Sequence, residues 1–268
     1  MAVAAALAAS GFVQRWVLLA VGIGLWQLWA VSARSVYFPP PREILTTLGE
    51  QWSGGGSGPV AQESWARDLL VTLTRLGTGW GIAVVLGVVI GVVLGRSGKL
   101  EAYVDPPLQF LRAIPPPAVI PLFLVVLGTG FRMRVALVVF GALWPVLLNT
   151  VEGVRAVSTT QLAVASAFRI PRGARIRRVV LPAASPKIVA GMRVSLSISL
   201  ILVALSEMIA SDSGLGYQLI RAQQMFAMPR MWAAIITIGL LGVVLNSLFL
   251  AFERRALAWH QGARGRGN

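Results

Sequence analysis

The chain contains no cysteine, so disulfides, thiolate metal sites and a cysteine nucleophile are excluded. Histidine is nearly missing too. His260 stands alone in a polar tail, which rules out a two-histidine metal motif. Charged residues make up only 13% of the chain, and acids are the scarcer sign, 10 against 24 Lys and Arg. No G-x-S-x-G elbow occurs and no acid pair falls inside an apolar run, which argues against an enzyme. The stretch "GRSGKL" resembles part of a phosphate loop, but Val93 replaces the required first glycine and Leu100 the required Ser or Thr. Nor is there a polar segment long enough for a separate soluble domain of about 100 residues.

What is present is apolar. Hydrophobic residues reach 56%, glycines number 28, and mean hydropathy is +0.74. This composition points to an integral membrane protein, and a spanning helix needs roughly 20 apolar residues. Six runs qualify: Trp16–Val31, Leu76–Gly95, Ala113–Phe131, Val135–Val151, Ile188–Ile209 and Met231–Phe252. The fold class expected is therefore an all-α membrane protein with about six transmembrane helices. The first run has flanks like those of a secretory signal, and we read it as a retained helix. The net charge of +14 would suggest nucleic acid for a soluble protein. In a membrane protein the distribution decides instead. Arg96, Lys99, then Arg155 to Lys187, then Arg254 to Arg266 fall on one side, which the positive-inside rule makes cytoplasmic. Both termini are then cytoplasmic, and nucleic acid is not an expected partner.

Several residues stand out within the runs. Ala83, Gly87, Gly91 and Gly95 are four apart and line one helix face, suited to close packing against another helix. Pro115, Pro116, Pro117 and Pro121 should break the third run, and broken helices often line a path. Asp105 before Pro106 and Pro107 reads as a helix N-cap at the membrane surface. Ser195, Ser199 and Ser206 form a narrow stripe. They either face a pore or bond back to their own helix. Glu207 is an ionisable group near the hydrocarbon, with Arg221 or Arg230 as possible partners. Arg112 either attracts an anion or snorkels as an anchor.

Five arginines crowd into "RIPRGARIRRVVLPAASP", Arg169 to Pro186. A short apolar helix over Gln161–Phe168, stopped by Pro171, should precede a turn at Gly173 and a second, basic helix. Such a tip with a basic flank suits insertion into a partner's groove, and its arginines suit acidic partner residues or lipid headgroups.

This loop resembles the cytoplasmic coupling loop of binding-protein-dependent ABC importer permeases, whose pattern is E-A-A, three residues, G, nine residues, I-x-L-P. Aligned on "VVLP", Ala163, Val164 and Ala165 take the E-A-A positions, Arg169 the glycine, and Leu181 and Pro182 the L-P pair. The acid is absent and the glycine is arginine. Further similarity runs in order through "IGLWQLWA", "FPPPREILTTL", "LQFLRAIPPPAVIPLFLVVLGTG", "LWPVLLNTVEGV" and "SEMIASDSGLGYQLI", and resembles the nitrate, taurine and aliphatic sulfonate subgroup. The resemblance implies one permease domain over 1–268 with the type I importer fold: a tail and first helix 1–33, core helices 67–252, a coupling loop 153–187 and a basic tail 253–268. It implies a non-catalytic subunit in the inner membrane, forming the path for a small, anionic solute. The implied partners are a cytoplasmic ABC ATPase dimer, a second permease copy as a homodimer, an extracytoplasmic solute-binding protein and membrane lipid. This chain would bind no cofactor, with ATP and Mg held by the ATPases. The ATPase-coupling residues implied are Ala163, Val164, Ala165, Phe168, Arg169, Pro171, Arg172, Gly173, Leu181 and Pro182. Path candidates are Arg112, Pro116, Pro121, Ser199, Ser206 and Glu207. A self-contained secondary transporter or a membrane scaffold are the rival readings.

Overall fold

A computed structural model of the chain describes residues 2–53 and 59–258. His260 and most of the basic tail, including Arg264 and Arg266, lie outside the described residues. The described residues form helices and no strand. In order they are α1 (Ala2–Ala33), α2 (Pro41–Ser53), α3 (Pro59–Arg96), α4 (Gly98–Ala113), α5 (Ile120–Leu127), α6 (Phe131–Arg155), α7 (Thr159–Ala167), α8 (Arg172–Arg175), α9 (Leu181–Ala210), α10 (Leu215–Gln224) and α11 (Met228–Ala256). By contacts they gather into two compact units, one of residues 1–67 and 218–237, the other of 68–217 and 238–268.

The larger unit is built on small residues. A Cβ on Gly87 would stand 2.8 Å from Val146, one on Gly91 2.6 Å from Thr150, and one on Gly95 2.8 Å from Val154. Gly79 meets Val138 in the same way, and Ala83 between them has no exposed surface. The glycine stripe of α3 therefore holds a valine and threonine ridge of α6, the close approach that small residues permit in membranes. Each pair has the same sequence offset, so α3 and α6 run parallel. Against α6, the helix α9 runs antiparallel: a Cβ on Gly141 would strike Leu202, and one on Gly191 the Pro145 carbonyl at 2.7 Å. Leu76, Val138, Leu196 and Val203 share one buried cluster with Phe249 of α11.

Parallel α3 and α6 require the chain between them to cross the membrane once. That crossing is α4 and α5, bent by 85° just before a 3-10 turn at Pro116–Val119 that leads into α5. With the five long helices this makes six crossings, in agreement with the hydropathy reading. The third crossing differs from expectation in detail. It begins at Gly98, and its break falls between Ala113 and Pro116. Asp105 is not an N-cap: Pro106 and Pro107 lie inside α4, and Ser97 caps it, accepting from the Leu100 amide at 3.3 Å. Ser97 sits where the helix from Gly98 needs its first donor satisfied, so the helix is already established before the prolines arrive.

In the smaller unit Trp26, Trp29, Phe38 and Trp232 pack with ring centroids 5.2–6.0 Å apart. The Trp232 indole donates to the Tyr37 carbonyl at 3.0 Å. Trp26 and Trp29 lie in the last turns of the apolar run of α1, Phe38 just beyond it and Trp232 at the start of that of α11, where amphipathic rings anchor spans at the membrane surface.

Candidate functional site

The basic stretch is a knob on the end of a long helix. In α7, Leu162 packs against a buried cluster of Val154, Val157, Val180 and Ala184, and Ala165 is buried. Ala163 and Val164 face outward. The helix closes in a Schellman turn: the Arg169 amide donates to Ser166 O at 2.9 Å and the Ile170 amide to Ala165 O at 3.0 Å. Arg169 takes the left-handed position, φ 51°, a conformation for which glycine is favoured and which costs another residue about 1–2 kcal/mol. Pro171 follows and ends the turn. Phe168 is left 78% exposed at the tip, with Arg169 and Arg172 exposed beside it. Arg175 ties the knob back, donating to Ile170 O at 3.3 Å.

The expected separate basic helix does not exist. Residues Arg172–Ile209 run as one apolar helical span, with α8 joined to α9 through a π turn at Ile176–Val180. Pro182 cannot donate to the carbonyl four residues back. The wider turn, in which the Leu181 amide reaches Ile176 O, absorbs that mismatch. Leu181 is half-buried and Pro182 exposed, while Gly173 opens on a depression of about 500 Å³ that Ala174, Arg177 and Arg178 also line. Ion pairs fix this end of the bundle: Lys187 Nζ to Glu152 at 2.8 Å, and Arg155 with Glu101.

The opposite end holds a buried polar latch. Glu207, 1% exposed, accepts from Arg75 Nη1 at 2.8 Å, from the Thr72 hydroxyl at 2.9 Å and from the Gly216 amide at 3.1 Å. Its partner is therefore Arg75 of α3, not Arg221 or Arg230, because the turn after α9 folds back onto α3. Arg75 also donates to Ser213 O at 2.8 Å and to Ser213 Oγ at 2.9 Å. The Gly214 amide donates to Asp68 at 2.7 Å and the Leu215 amide to Thr72 at 3.0 Å. Gly214 has φ 107°, and a Cβ there would lie 2.3 Å from the Glu207 carboxyl carbon. Only glycine fits. Asp212, at the exposed tip, has its carboxyl held below the usual range by its own backbone amide and the Ser213 hydroxyl.

The remaining path candidates are scattered. Arg112 is exposed in the last turn of α4, Pro116 is half-buried beside Gly141 and Leu202, and Pro121 is exposed at the start of α5. Ser199 and Ser206 have no exposed surface. They donate to Ser195 O at 2.8 Å and Val203 O at 2.7 Å of their own helix.

The model of the family described as "Binding-protein-dependent transport system inner membrane component" matches residues 83–257, from the glycine stripe through the knob to the end of α11. The chain belongs to this family. A putative aliphatic sulfonates transport permease of Bacillus subtilis is 33% identical over 95% of this chain and 90% of its own length. The taurine transport system permease of Escherichia coli is 28% identical over 90% and 88%. A bicarbonate transport system permease of Synechococcus elongatus is 33% identical over 69% and 67%. A solved inward-facing structure of the MetNI methionine ABC transporter superposes with a TM-score of 0.65 at 18% identity, covering 74% of this chain and 99% of that one. The fold is thus that of ABC importer permeases.

As a permease of this family the chain is a multi-pass membrane transport subunit, not a catalyst; such systems use ATP in partner ATPases and take solute from a binding protein. Arg169 stands at a left-handed helix end, a position that favours glycine. Sequence reading missed Asp68, Thr72 and Arg75. An arginine preceding a glycine-rich apolar run reads as an anchor, and only the folded turn shows the carboxylate it meets.

Proposed function

We propose that this permease forms a homodimer that conducts a small anion, such as a sulfonate or bicarbonate. Two cytoplasmic ATPases drive it through the α7–α8 knob, and a binding protein delivers solute at the latch end. The relatives named above support the anionic class. The knob carries the reading. An exposed Phe168 beside exposed Arg169 and Arg172, on a helix anchored by Leu162 and Ala165, has the form of a hot-spot residue meant for a pocket. Its rigid continuation into α9 lets a push at the knob reach the bundle. On this reading Ala163, Val164, Pro171, Gly173, Leu181 and Pro182 shape or flank the contact, and the termini are cytoplasmic.

A second copy is supported by the broken crossing. Ala113, Pro115, Pro117 and Ala118 are exposed around the break, and lipid tolerates irregular backbone only where protein or a water-filled cavity covers it. Two breaks facing across a path satisfy that need, with Arg112, Pro116 and Pro121 at its wall. Ser199, Ser206 and Glu207 act there as supports behind the wall rather than as solute contacts. The test is ATP hydrolysis by the purified complex. Loaded binding protein is expected to stimulate it, and Phe168→Asp or Arg172→Glu to abolish that stimulation while the chain stays in the membrane. Stimulation that survives both substitutions refutes the docking role.

A further inference from the structure

The serine stripe of α9 faces inward, its hydroxyls donating to their own helix and Ser195 also accepting from the Trp80 indole at 2.9 Å, so the polar groups on the open face of α9 become the informative ones. That face carries Ala190, Arg193 and Ser197, all exposed, within two turns. Arg193 lies 16 residues before Ile209, roughly 24 Å along the helix, inside a hydrocarbon layer of about 30 Å. An arginine at that depth faces the bundle interior or water rather than lipid.

Its bonds are loose. The guanidinium reaches Asn246 Oδ1 at 3.3 Å and Glu253 at 3.9 Å, both on α11, and stays 44% exposed. By contrast Lys187 closes on Glu152 at 2.8 Å. The small side chains of Ala190 and Ser197 leave room beside the guanidinium, and the Ser197 hydroxyl is a neutral hydrogen-bond donor for an oxyanion.

We propose that Arg193 and Ser197 form an anion-attracting station on the wall of the translocation path, for a small oxyanion such as a sulfonate or carbonate species. The proposal rests on the permease reading above and assigns its solute contact to α9. Arg193 supplies the attractive field, only loosely engaged by Asn246 and Glu253, and Ser197 offers a hydrogen bond that lipid cannot use.

The absence of cysteine makes the test direct. Ser197→Cys and Ala190→Cys each give the full chain a single thiol. In membrane vesicles carrying the intact complex, each is exposed to two water-soluble methanethiosulfonates, one ending in a sulfonate and one in a trimethylammonium. Both positions are expected to react from water. Relative to free cysteine, the sulfonate reagent is expected to be favoured about tenfold. Arg193→Gln should bring that ratio close to one and Arg193→Lys should keep it. No reaction at either position, in the presence or absence of ATP, overturns the proposal, as does a ratio that Arg193→Gln leaves unchanged. Co-purification of an ATPase is read separately on the same samples. Its failure, with labelling as expected, overturns the ATPase reading and leaves this station standing.

Discussion

Replacing Glu207 by methionine removes the carboxylate on which α3, α9 and the turn after α9 converge. Arg75 loses its only counter-ion within 4 Å among the described residues, and the Thr72 hydroxyl and Gly216 amide lose an acceptor. Both partners are nearly inaccessible, with side-chain exposures of 6% and 0%. Removing one member of such a pair costs about 3–5 kcal/mol, because the other charge stays buried and uncompensated. For a chain of this size that corresponds to a melting temperature lowered by roughly 6–20 °C. The assay is thermal unfolding of the purified complex in mild detergent. Arg75→Met should be comparably harmful, yet the double variant Arg75→Met/Glu207→Met should recover much of the loss, since an apolar pair of similar volume can replace a buried ion pair at little cost. A Glu207→Met variant melting within about 2 °C of the parent, or a double variant as unstable as the sum of the singles, refutes the latch.

Other consequences are simpler to check. Gly91→Ala should destabilise by about 1–3 kcal/mol, because its Cβ would meet Thr150 at 2.6 Å. Gly81→Ala on the same helix, with nothing within 4 Å, should be neutral or stabilising by up to about 1 kcal/mol, and melting of the two variants separates the cases. Arg169→Gly should relieve about 1–2 kcal/mol of left-handed strain in the knob, read as slower proteolysis after the basic residues of α8. The depressed carboxyl of Asp212 contributes stability that is complete above its unfolded value near 3.8 and lost as pH falls through its lower folded value. Asp212→Asn should therefore lower stability near neutrality by a constant amount and flatten the acid limb of the profile below about pH 4, where the two proteins converge.

The six crossings were legible because each apolar run comes close to or exceeds the roughly 20 residues a bilayer needs, and the four-residue spacing from Ala83 to Gly95 carried the α3–α6 seam in plain view. The knob was legible at its tip: apolar small residues ending at Phe168 with Pro171 behind them leave a short helix little choice. Where reading failed, the deciding contact was distant or geometric. Arg75 and Glu207 are 132 positions apart, and nothing local distinguishes Arg75 from Arg221 as the partner. The fusion of the basic segment with α9 depended on a π turn that accommodates Pro182, where local rules place a helix boundary at proline. The serine stripe was a correct periodicity with two possible meanings, and only burial shows that the hydroxyls bond within their own helix. Arg193 was passed over because a lone arginine in an apolar run carries no motif, and its exposure appears only once α9 has neighbours.

The most direct measurement is native mass spectrometry of the complex released from its membrane in mild detergent. Two copies of this chain with two copies of an ATPase are expected, and Phe168→Asp should strip the ATPase while leaving the permease pair. A chain that emerges without an ATPase, yet still moves solute across liposomes, contradicts an ATP-driven importer.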